Sequence, residues 1–208
     1  YHFLILMDAV ITAARRIGHY YLTGALKGNL GPAGSVNVQG ENVMQMDQIA
    51  EEIVTHYLKA SGRVIYAVSE ESPEIIPIDP EDGRYFFYFD PLDGSSNIPH
   101  SLPIGFLFGI AKRNLDGPED GHLRAGEDYI AAGMFVIPSG TFTLALKDAG
   151  TWKFHLDETQ NFVRPVRMML PDDPSKWELS FNASNRFTYS GQVSDWISQC
   201  PYMRGIHW

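Results

Sequence analysis

Phe89-Asp90-Pro91-Leu92-Asp93-Gly94-Ser95-Ser96-Asn97 is the most informative stretch of this chain, together with Ser69-Glu70-Glu71 upstream of it. Each acidic group follows an apolar run with the composition of a β-strand, residues 64–68 and 85–89. Carboxylates at neighbouring strand ends repel one another unless positive charge lies between them. Hard oxygen ligands of this kind suit Mg²⁺ or Mn²⁺, so the sequence predicts a divalent-metal site at two strand ends.

Proline and glycine in this stretch predict a sharp turn directly after Asp90. The turn would return Asp93 toward Asp90, so that both carboxylates could contact one metal or bridge two. The carbonyl of Leu92 could add an oxygen ligand. The amides of the next three residues would form a donor-rich concavity for a phosphate oxyanion. These three residues are Gly94, Ser95 and Ser96.

Carboxylate metal ligands and a group of backbone amide donors together suffice for phosphate monoester hydrolysis. Two metal ions about 3.5–4 Å apart can activate a water and stabilise the leaving oxygen of an in-line displacement. Either Glu70 or Glu71 could bridge the metals, and the other could take the proton of the water. Taken alone, the glutamate pair is typical of a solvated loop, and Asp-x-x-Asp-Gly is a common turn. An EF-hand does not fit, because Pro91 and Leu92 separate the two aspartates.

The composition fits a globular protein of the reducing cytoplasm. The 208 residues carry a formal net charge of −9, and the absence of a Lys/Arg cluster argues against nucleic acid as a partner. A single cysteine, Cys200, excludes an internal disulfide. No signal peptide or membrane span is predicted. Since the chain begins at Tyr1 and stops at Trp208, we expect it to be a fragment or to have further segments.

The pattern of elements favours a layered α+β fold over a regularly alternating, doubly wound sheet. Helices are predicted over residues 3–22 and 43–60, with the apolar face of the second at Met46, Ile49, Ile53 and Tyr57, and a glycine-rich loop between them over residues 24–40. Strands are predicted over residues 64–68, 85–89, 104–111, 129–136, 141–146, 151–156, 161–166 and 177–181, and a helix over 191–200.

Residues Val68-Ser-Glu-Glu71 and Asp90-Pro-Leu-Asp-Gly-Ser-Ser-Asn97 together resemble the class I fructose-1,6-bisphosphatase family, within the lithium-sensitive sugar and inositol phosphatase superfamily. Five further stretches also resemble motifs of that family. They are Gly34-Ser-Val-Asn-Val-Gln-Gly40, Met46-Asp47, Ile104-Gly105-Phe-Leu-Phe-Gly-Ile110, Ala131-Ala-Gly133 and Pro138-Ser-Gly-Thr141. The resemblance extends from the first helix to Asn182.

The resemblance implies a role for each motif residue. Metal would be held by Glu70, Asp90, Asp93 and the carbonyl of Leu92. Glu71 and Asp47 match the pair that orients and deprotonates the attacking water. The 1-phosphate would be cradled by residues 93–96, and Asn182 matches a position that holds the 6-phosphate. Arg204 matches an arginine that reaches the 6-phosphate of a neighbouring subunit. Because Gly205 stands where the family usually has an aromatic residue, the interpretation of Arg204 as an ordinary surface residue is an equal alternative.

The resemblance also implies a fold and an activity. The fold would be a layered α-β-α-β-α sugar phosphatase fold, with a metal- and 1-phosphate-binding domain over residues 1–166 and the start of a truncated sugar-binding domain over 167–208. The enzyme would be a Mg²⁺-dependent (or Mn²⁺-dependent) cytoplasmic homotetramer that removes the 1-phosphate of fructose 1,6-bisphosphate in gluconeogenesis. Arg84, Tyr85 and Lys112 match part of the AMP site of animal relatives, but without its phosphate-binding loop we do not predict AMP control.

Two departures from the family leave alternatives open. Pro99-His100 follows Ile98 where the family has an acidic residue, as in the inositol monophosphatase branch. Another substrate, sedoheptulose 1,7-bisphosphate or an inositol phosphate, is therefore an alternative. The family's C-terminal part, with a further metal-ligating glutamate, is missing from the sequence. If the chain truly ended at Trp208, a non-catalytic sugar-phosphate-binding module would be favoured.

Overall fold

A computed structural model describes residues 1–27, 32–36, 42–100, 102–113, 125–159, 161–173 and 188–199. The chain divides into two compact units, Tyr1–Arg167 and Met168–Trp208. The described part of the first unit holds two long helices, a two-stranded sheet and a mixed eight-stranded sheet. The described part of the second unit holds one short helix. Among the helices in these ranges, none has both the length and the apolar character needed to cross a membrane.

The elements follow one another in a simple order, with both long helices ahead of the large sheet. The helices are α1 (His2–Lys27), α2 (Gln45–Ser61) and α3 (Gly191–Gln199). The strands are β1 (Pro32–Val36), β2 (Asn42–Met44), β3 (Val64–Ser69), β4 (Ile76–Pro77), β5 (Tyr85–Asp93), β6 (Ile104–Lys112), β7 (Tyr129–Ile137), β8 (Thr141–Leu146), β9 (Gly150–Leu156) and β10 (Phe162–Met168). The strand predicted over residues 177–181 lies outside the described residues.

The large sheet has the strand order β10-β9-β8-β7-β6-β5-β3-β4. Strands β3 and β5 are parallel, whereas β5 to β9 form an antiparallel meander in which each strand pairs with the next. Helices that precede a mostly antiparallel sheet make this an α+β fold, as the sequence predicted.

The main core lies between the two long helices and one face of the sheet. From the helices come Leu6, Val10, Ile17, Val54 and Leu58, and from the strands Phe87, Phe106, Phe108, Phe135 and Phe142, all in one buried cluster. A smaller cluster of Ile65, Phe86 and Ala111 lies apart from it. Because successive strand residues point to opposite faces, Phe86 and Phe87 belong to different clusters. The face opposite the helices therefore carries Phe86, Tyr88 and Asp90, which follow one another at intervals of two residues.

The predicted loop over residues 24–40 is wrong in its described parts. Helix α1 continues through Lys27 with Gly24 buried inside it, and β1 pairs antiparallel with β2. A glycine inside a helix costs only about 1 kcal/mol relative to alanine, which the packing of a 26-residue helix easily offsets. The pairing of β2 also delays the start of α2 to Gln45, two residues after the predicted start.

The predicted apolar face of α2 is shifted by one residue from the observed one. Met46, Ala50, Val54 and Leu58 are buried, at a regular spacing of four residues. Ile49, Ile53 and Tyr57 are half-buried and pack against the edge of the core instead. The small side chain of Ala50 lets the helix approach the sheet closely, while the larger side chains flank the contact. Asp47 lies on the buried stripe itself, with 1% of its surface exposed.

Candidate active site

The carboxylates of Glu70 and Asp90 meet at the ends of two parallel strands. Ser69 of β3 is opposite Phe89 of β5, and the backbone N–H of Glu70 donates to the carbonyl of Phe89 at 3.1 Å. The residues that follow in this register, Glu70 and Asp90, therefore lie side by side. Their side chains are joined by a hydrogen bond. The predicted convergence of the two acidic motifs is present in the structure.

A β-bulge in β5 sets the position of Asp93. Asp90 pairs with Leu107 and Asp93 with Gly105, so β5 advances three residues while β6 advances two. Because Leu107 and Gly105 point to the same face of the sheet, the residues opposite them do so too. In a regular strand, residues three apart would point to opposite faces. The sharp turn predicted directly after Asp90 is therefore wrong: the strand continues to Asp93, and the bulge is what places both aspartates on one face.

The environment of Asp90 disfavours negative charge. Burial, the hydrogen bond to Glu70 and the charges of Glu70 and Asp93 raise the pKa of Asp90 from 3.8 to about 8. The backbone N–H of Leu92 donates to Oδ1 of Asp90 at 2.9 Å and opposes this shift. Partial desolvation and the charge of Glu70 also raise the pKa of Asp93. The charges of Glu70 and Asp93 thus disfavour ionisation of Asp90, and a nearby cation would favour it.

The carboxyls of Glu70, Asp90 and Asp93 are chemically suited to a divalent metal. Their arrangement in the structure, however, is not that of a complete metal site. Within the ranges that the structure describes, no three His, Cys, Asp or Glu side chains form a group that could hold a metal ion as they are arranged. Glu70 and Asp90 hydrogen-bond to each other, and the side chain of Asp93 reaches solvent. Two carboxyls that share a hydrogen bond can turn outward by rotation about their side-chain bonds. Hard oxygen donors of this kind suit Mg²⁺ or Mn²⁺.

The second predicted acidic pair comes from α2 and from the residue after Glu70. Asp47 is in the first turn of α2, which packs against β3 and β5, and it is almost fully buried. Glu71 is half-buried, and its backbone N–H donates to Oγ of Ser69 at 3.3 Å. Glu71 therefore lies at the end of β3, and Asp47 lies in the first turn of the helix that packs against β3 and β5. A negative charge near the start of a helix is favoured by the helix dipole, which partly offsets the burial of Asp47.

The predicted phosphate cradle follows β5 directly. Gly94 has a φ of 76°, a conformation that side chains rarely adopt, and residues 95–100 form a single 3₁₀ helix. The N–H of Asn97 donates to the carbonyl of Gly94 at 2.8 Å, and the Asn97 side chain donates to the carbonyl of Pro103 at 3.1 Å. The first N–H groups of a helix have no acceptor within the helix. The backbone amides of residues 94–96 therefore start a helix at the edge of the acidic cluster.

Two predicted site residues, Asn182 and Arg204, lie outside the described residues. Three residues matched to an AMP site, Arg84, Tyr85 and Lys112, line one surface hollow together with His2 and Arg113.

The structure also reveals a contact that sequence reasoning missed. The hydroxyl of Ser72 donates to the Glu51 carboxylate of α2, at 2.9 Å from Oε1 and 3.0 Å from Oε2. The two residues are 21 positions apart, and neither belongs to a recognisable motif. The one signal in the sequence is that Glu51 follows Asp47 by four residues and so shares its side of the helix.

The comparisons with known proteins agree on one family. The family model for fructose-1-6-bisphosphatase, N-terminal domain, matches residues 2–164. The class 1 fructose-1,6-bisphosphatase of Syntrophus aciditrophicus is 70% identical over 201 residues, which cover 95% of this chain and 60% of that relative. Fructose-1,6-bisphosphatase 1 of Mus musculus is 38% identical over 155 residues, which cover 73% of this chain and 46% of the relative.

A solved structure supports the same fold. The crystal structure of Leishmania major fructose-1,6-bisphosphatase in its holo form matches with a TM-score of 0.81 and 25% sequence identity, over 99% of this chain and 68% of that chain. This likeness confirms the predicted fold class. The chain spans about 60% of the length of the Syntrophus relative.

Proposed function

The chain belongs to the fructose-1,6-bisphosphatase family, and on that premise we propose that it carries the metal and 1-phosphate site of an enzyme that hydrolyses fructose 1,6-bisphosphate. The products would be fructose 6-phosphate and inorganic phosphate, a gluconeogenic step. The proposal rests on one observation. Glu70 and Asp90 lie side by side at the ends of two parallel strands, and the β-bulge places Asp93 on the same face as Asp90.

Glu70, Asp90 and Asp93 would hold Mg²⁺ or Mn²⁺, with the carbonyl of Leu92 as a fourth oxygen donor. Bound there, the ion would activate a water and stabilise the leaving oxygen of the phosphate ester. The raised pKa values of Asp90 and Asp93 support this assignment, because a cation would favour the ionised form of both carboxyls.

Glu71 and Asp47 would orient and deprotonate the attacking water. Their carboxylate oxygens would accept its hydrogen bonds and take its proton as the phosphorus–oxygen bond forms. Asp47 belongs to α2 and Glu71 follows β3, so the water would be oriented from two directions. Burial of Asp47 limits competition from bulk solvent for these hydrogen bonds.

The backbone amides of residues 94–96 would bind the oxygens of the 1-phosphate. Amide donors fixed by a helix start stabilise negative charge without having to reorganise during the reaction. Asn182 and Arg204 remain proposed contacts of the 6-phosphate, the second across a subunit boundary of a homotetramer. The domain assignment, with the metal and 1-phosphate site in residues 1–166 and the start of a sugar-binding domain in 167–208, and a cytoplasmic location are proposals of the same kind.

A second substrate class is favoured by one specific observation. Pro99 and His100 end the 3₁₀ helix that begins at the proposed cradle, and both are exposed. They stand where the family motif carries an acidic residue, so the sugar contacts differ at this point. Sedoheptulose 1,7-bisphosphate and inositol monophosphate are the candidates to compare.

A phosphate-release assay on the encoded full-length protein tests the proposal. We expect release from fructose 1,6-bisphosphate with Mg²⁺ and none after chelation of divalent ions. Equal or faster hydrolysis of inositol monophosphate would overturn the choice of substrate. Release that is unaffected by chelation would overturn the metal-dependent mechanism.

A further inference from the structure

The segment that follows β3 is fixed at three points. We call residues 70–72 the acidic turn. The N–H of Glu70 is bonded to β5, and the N–H of Glu71 is bonded to Oγ of Ser69, which is buried. The hydroxyl of Ser72 is bonded to the carboxylate of Glu51 on α2. The first two bonds tie the acidic turn to the sheet, and the third ties it to the helix.

We propose that Glu51 and Ser72 are positioning residues, which hold Glu71 and Asp47 in register for one water molecule. The inference rests on the proposed function, because it concerns the pair that would activate that water. Neither Glu51 nor Ser72 touches the substrate in this scheme. They act by setting the distance between the acidic turn and the first turn of α2.

The lengths of α2 and β3 place the contact between Glu51 and Ser72 where it can set this distance. Helix α2 and strand β3 run in opposite directions, joined by a short turn. The ten residues from Glu51 to the end of α2 rise about 15 Å, and the five steps along β3 rise about 17 Å. Glu51 is therefore level with the end of β3. Asp47 is one helical turn before Glu51, about 6 Å away along the helix axis, so the contact that fixes Glu51 also limits how far Asp47 can shift from the acidic turn.

The chemistry of the contact favours a defined geometry. A hydroxyl that donates to an ionised carboxylate makes a charge-assisted hydrogen bond, stronger than a neutral one. Both residues are half-buried, which reduces competition from water. Pro73 follows Ser72 and disfavours helical backbone at Ser72. Ile76 of β4 then pairs with Ala67 of β3 and closes the segment.

The contact is not needed to build the core. Residues 73–75 are exposed, so water can replace the hydrogen bond when one partner is removed. The fold should therefore survive its loss, while the separation of Glu71 from Asp47 becomes less well defined. A misplacement of about 1 Å at a catalytic group can reduce a rate by about 100-fold.

Substitutions in the full-length protein test the inference. For Ser72→Ala we expect kcat to fall by about 10- to 100-fold, with KM within about twofold of wild type and little change in melting temperature. Ser72→Thr keeps the hydroxyl and Glu51→Gln keeps an acceptor, so both should retain most of the activity. Glu52→Gln is the matched control for Glu51→Gln, because it removes the same charge from the adjacent, exposed position of α2. An unchanged kcat in Ser72→Ala overturns the inference.

Hydrogen exchange separates this inference from the proposed function. We expect the amides of the acidic turn to exchange several-fold faster in Ser72→Ala than in wild type or Glu52→Gln. Unchanged exchange there overturns the inference, whatever the activity. If wild-type protein releases phosphate from no substrate, the proposed function fails, and the exchange measurement alone decides whether the pair holds the acidic turn.

Discussion

At the scale of single residues, Asp90 is the most informative position. It lies in β5 after a run of largely buried aromatic residues, accepts the N–H of Leu92, and shares a hydrogen bond with Glu70 at the end of β3. The fold holds this carboxyl where ionisation is costly in the absence of a cation. A cost of this kind is typical of functional sites rather than of ordinary surface carboxyls.

The raised pKa of Asp90 predicts a pH-dependent stability of the metal-free protein. The folded-state pKa of about 8 exceeds the ordinary value of 3.8, so the folded state binds the proton more tightly than the unfolded state does. The stability that protonation confers is fully present below pH 3.8 and is lost as the pH rises through about 8. We expect wild type to lose stability relative to Asp90→Asn between pH 5 and pH 8.5, measured by urea denaturation with chelator at about 25 °C.

Added Mg²⁺ should reverse that loss at the alkaline end, since it favours the ionised carboxyl. Parallel pH curves for wild type and Asp90→Asn would show that Asp90 does not titrate as described.

Asp93→Asn should nearly abolish activity without unfolding the protein. The side chain reaches solvent, so the amide costs little stability, whereas one ligand charge is lost at the metal. We expect the rate with saturating Mg²⁺ to fall about 100-fold or more, on the scale of losing one electrostatic contact in an active site. A near-normal rate would remove Asp93 from the mechanism.

Glu71→Gln should lower turnover more than substrate affinity. Loss of a general base typically costs about 100-fold or more in kcat, while binding of the substrate phosphates is left intact. Steady-state kinetics with saturating Mg²⁺ measures both quantities. An increase in KM with kcat preserved would assign Glu71 to substrate binding instead.

At the scale of elements, the sequence predicted the two long helices and most strands, because apolar periodicity is a local signal. It did not predict the bulge between Asp90 and Asp93, which depends on pairing with β6 and which determines the face on which Asp93 lies. It also missed β4, whose two residues are too few to show a period. The link from Glu51 to Ser72 depends on how α2 packs against the end of β3, which no local pattern carries.

The close packing of β6, β7 and β8 gives a prediction of its own. A Cβ at Gly133 would lie 2.5 Å from the ring of Phe108 and 2.8 Å from the carbonyl of Thr143. The carbonyl belongs to the backbone and cannot move aside easily. We expect Gly133→Ala to destabilise the protein by about 2 kcal/mol in urea denaturation, as overpacking usually does.

Gly126→Ala is the control for that substitution, since a Cβ there meets nothing within 4 Å. Equal stability of the two variants would mean that β7 and β8 are further apart than described.

At the scale of the whole molecule, the acidic cluster is an outcome of topology. Parallel pairing of β3 with β5 brings Glu70 to Asp90, although 20 positions separate them in sequence. The sequence predicted this convergence because both motifs follow apolar strands. Asn182 and Arg204, the proposed contacts of the 6-phosphate, lie outside the described residues.

Mn²⁺ binding to the full-length protein, followed by electron paramagnetic resonance, tests the convergence of two strands on one ion most directly. We expect Glu70→Gln, directly after β3, and Asp90→Asn on β5 each to raise the Kd for Mn²⁺ by about tenfold or more, because each removes a ligand of the same ion. Glu74→Gln, at an exposed position after the acidic turn, should leave the Kd unchanged. Wild-type affinity in Glu70→Gln, with Asp90→Asn impaired, would contradict a metal site shared by the two strands.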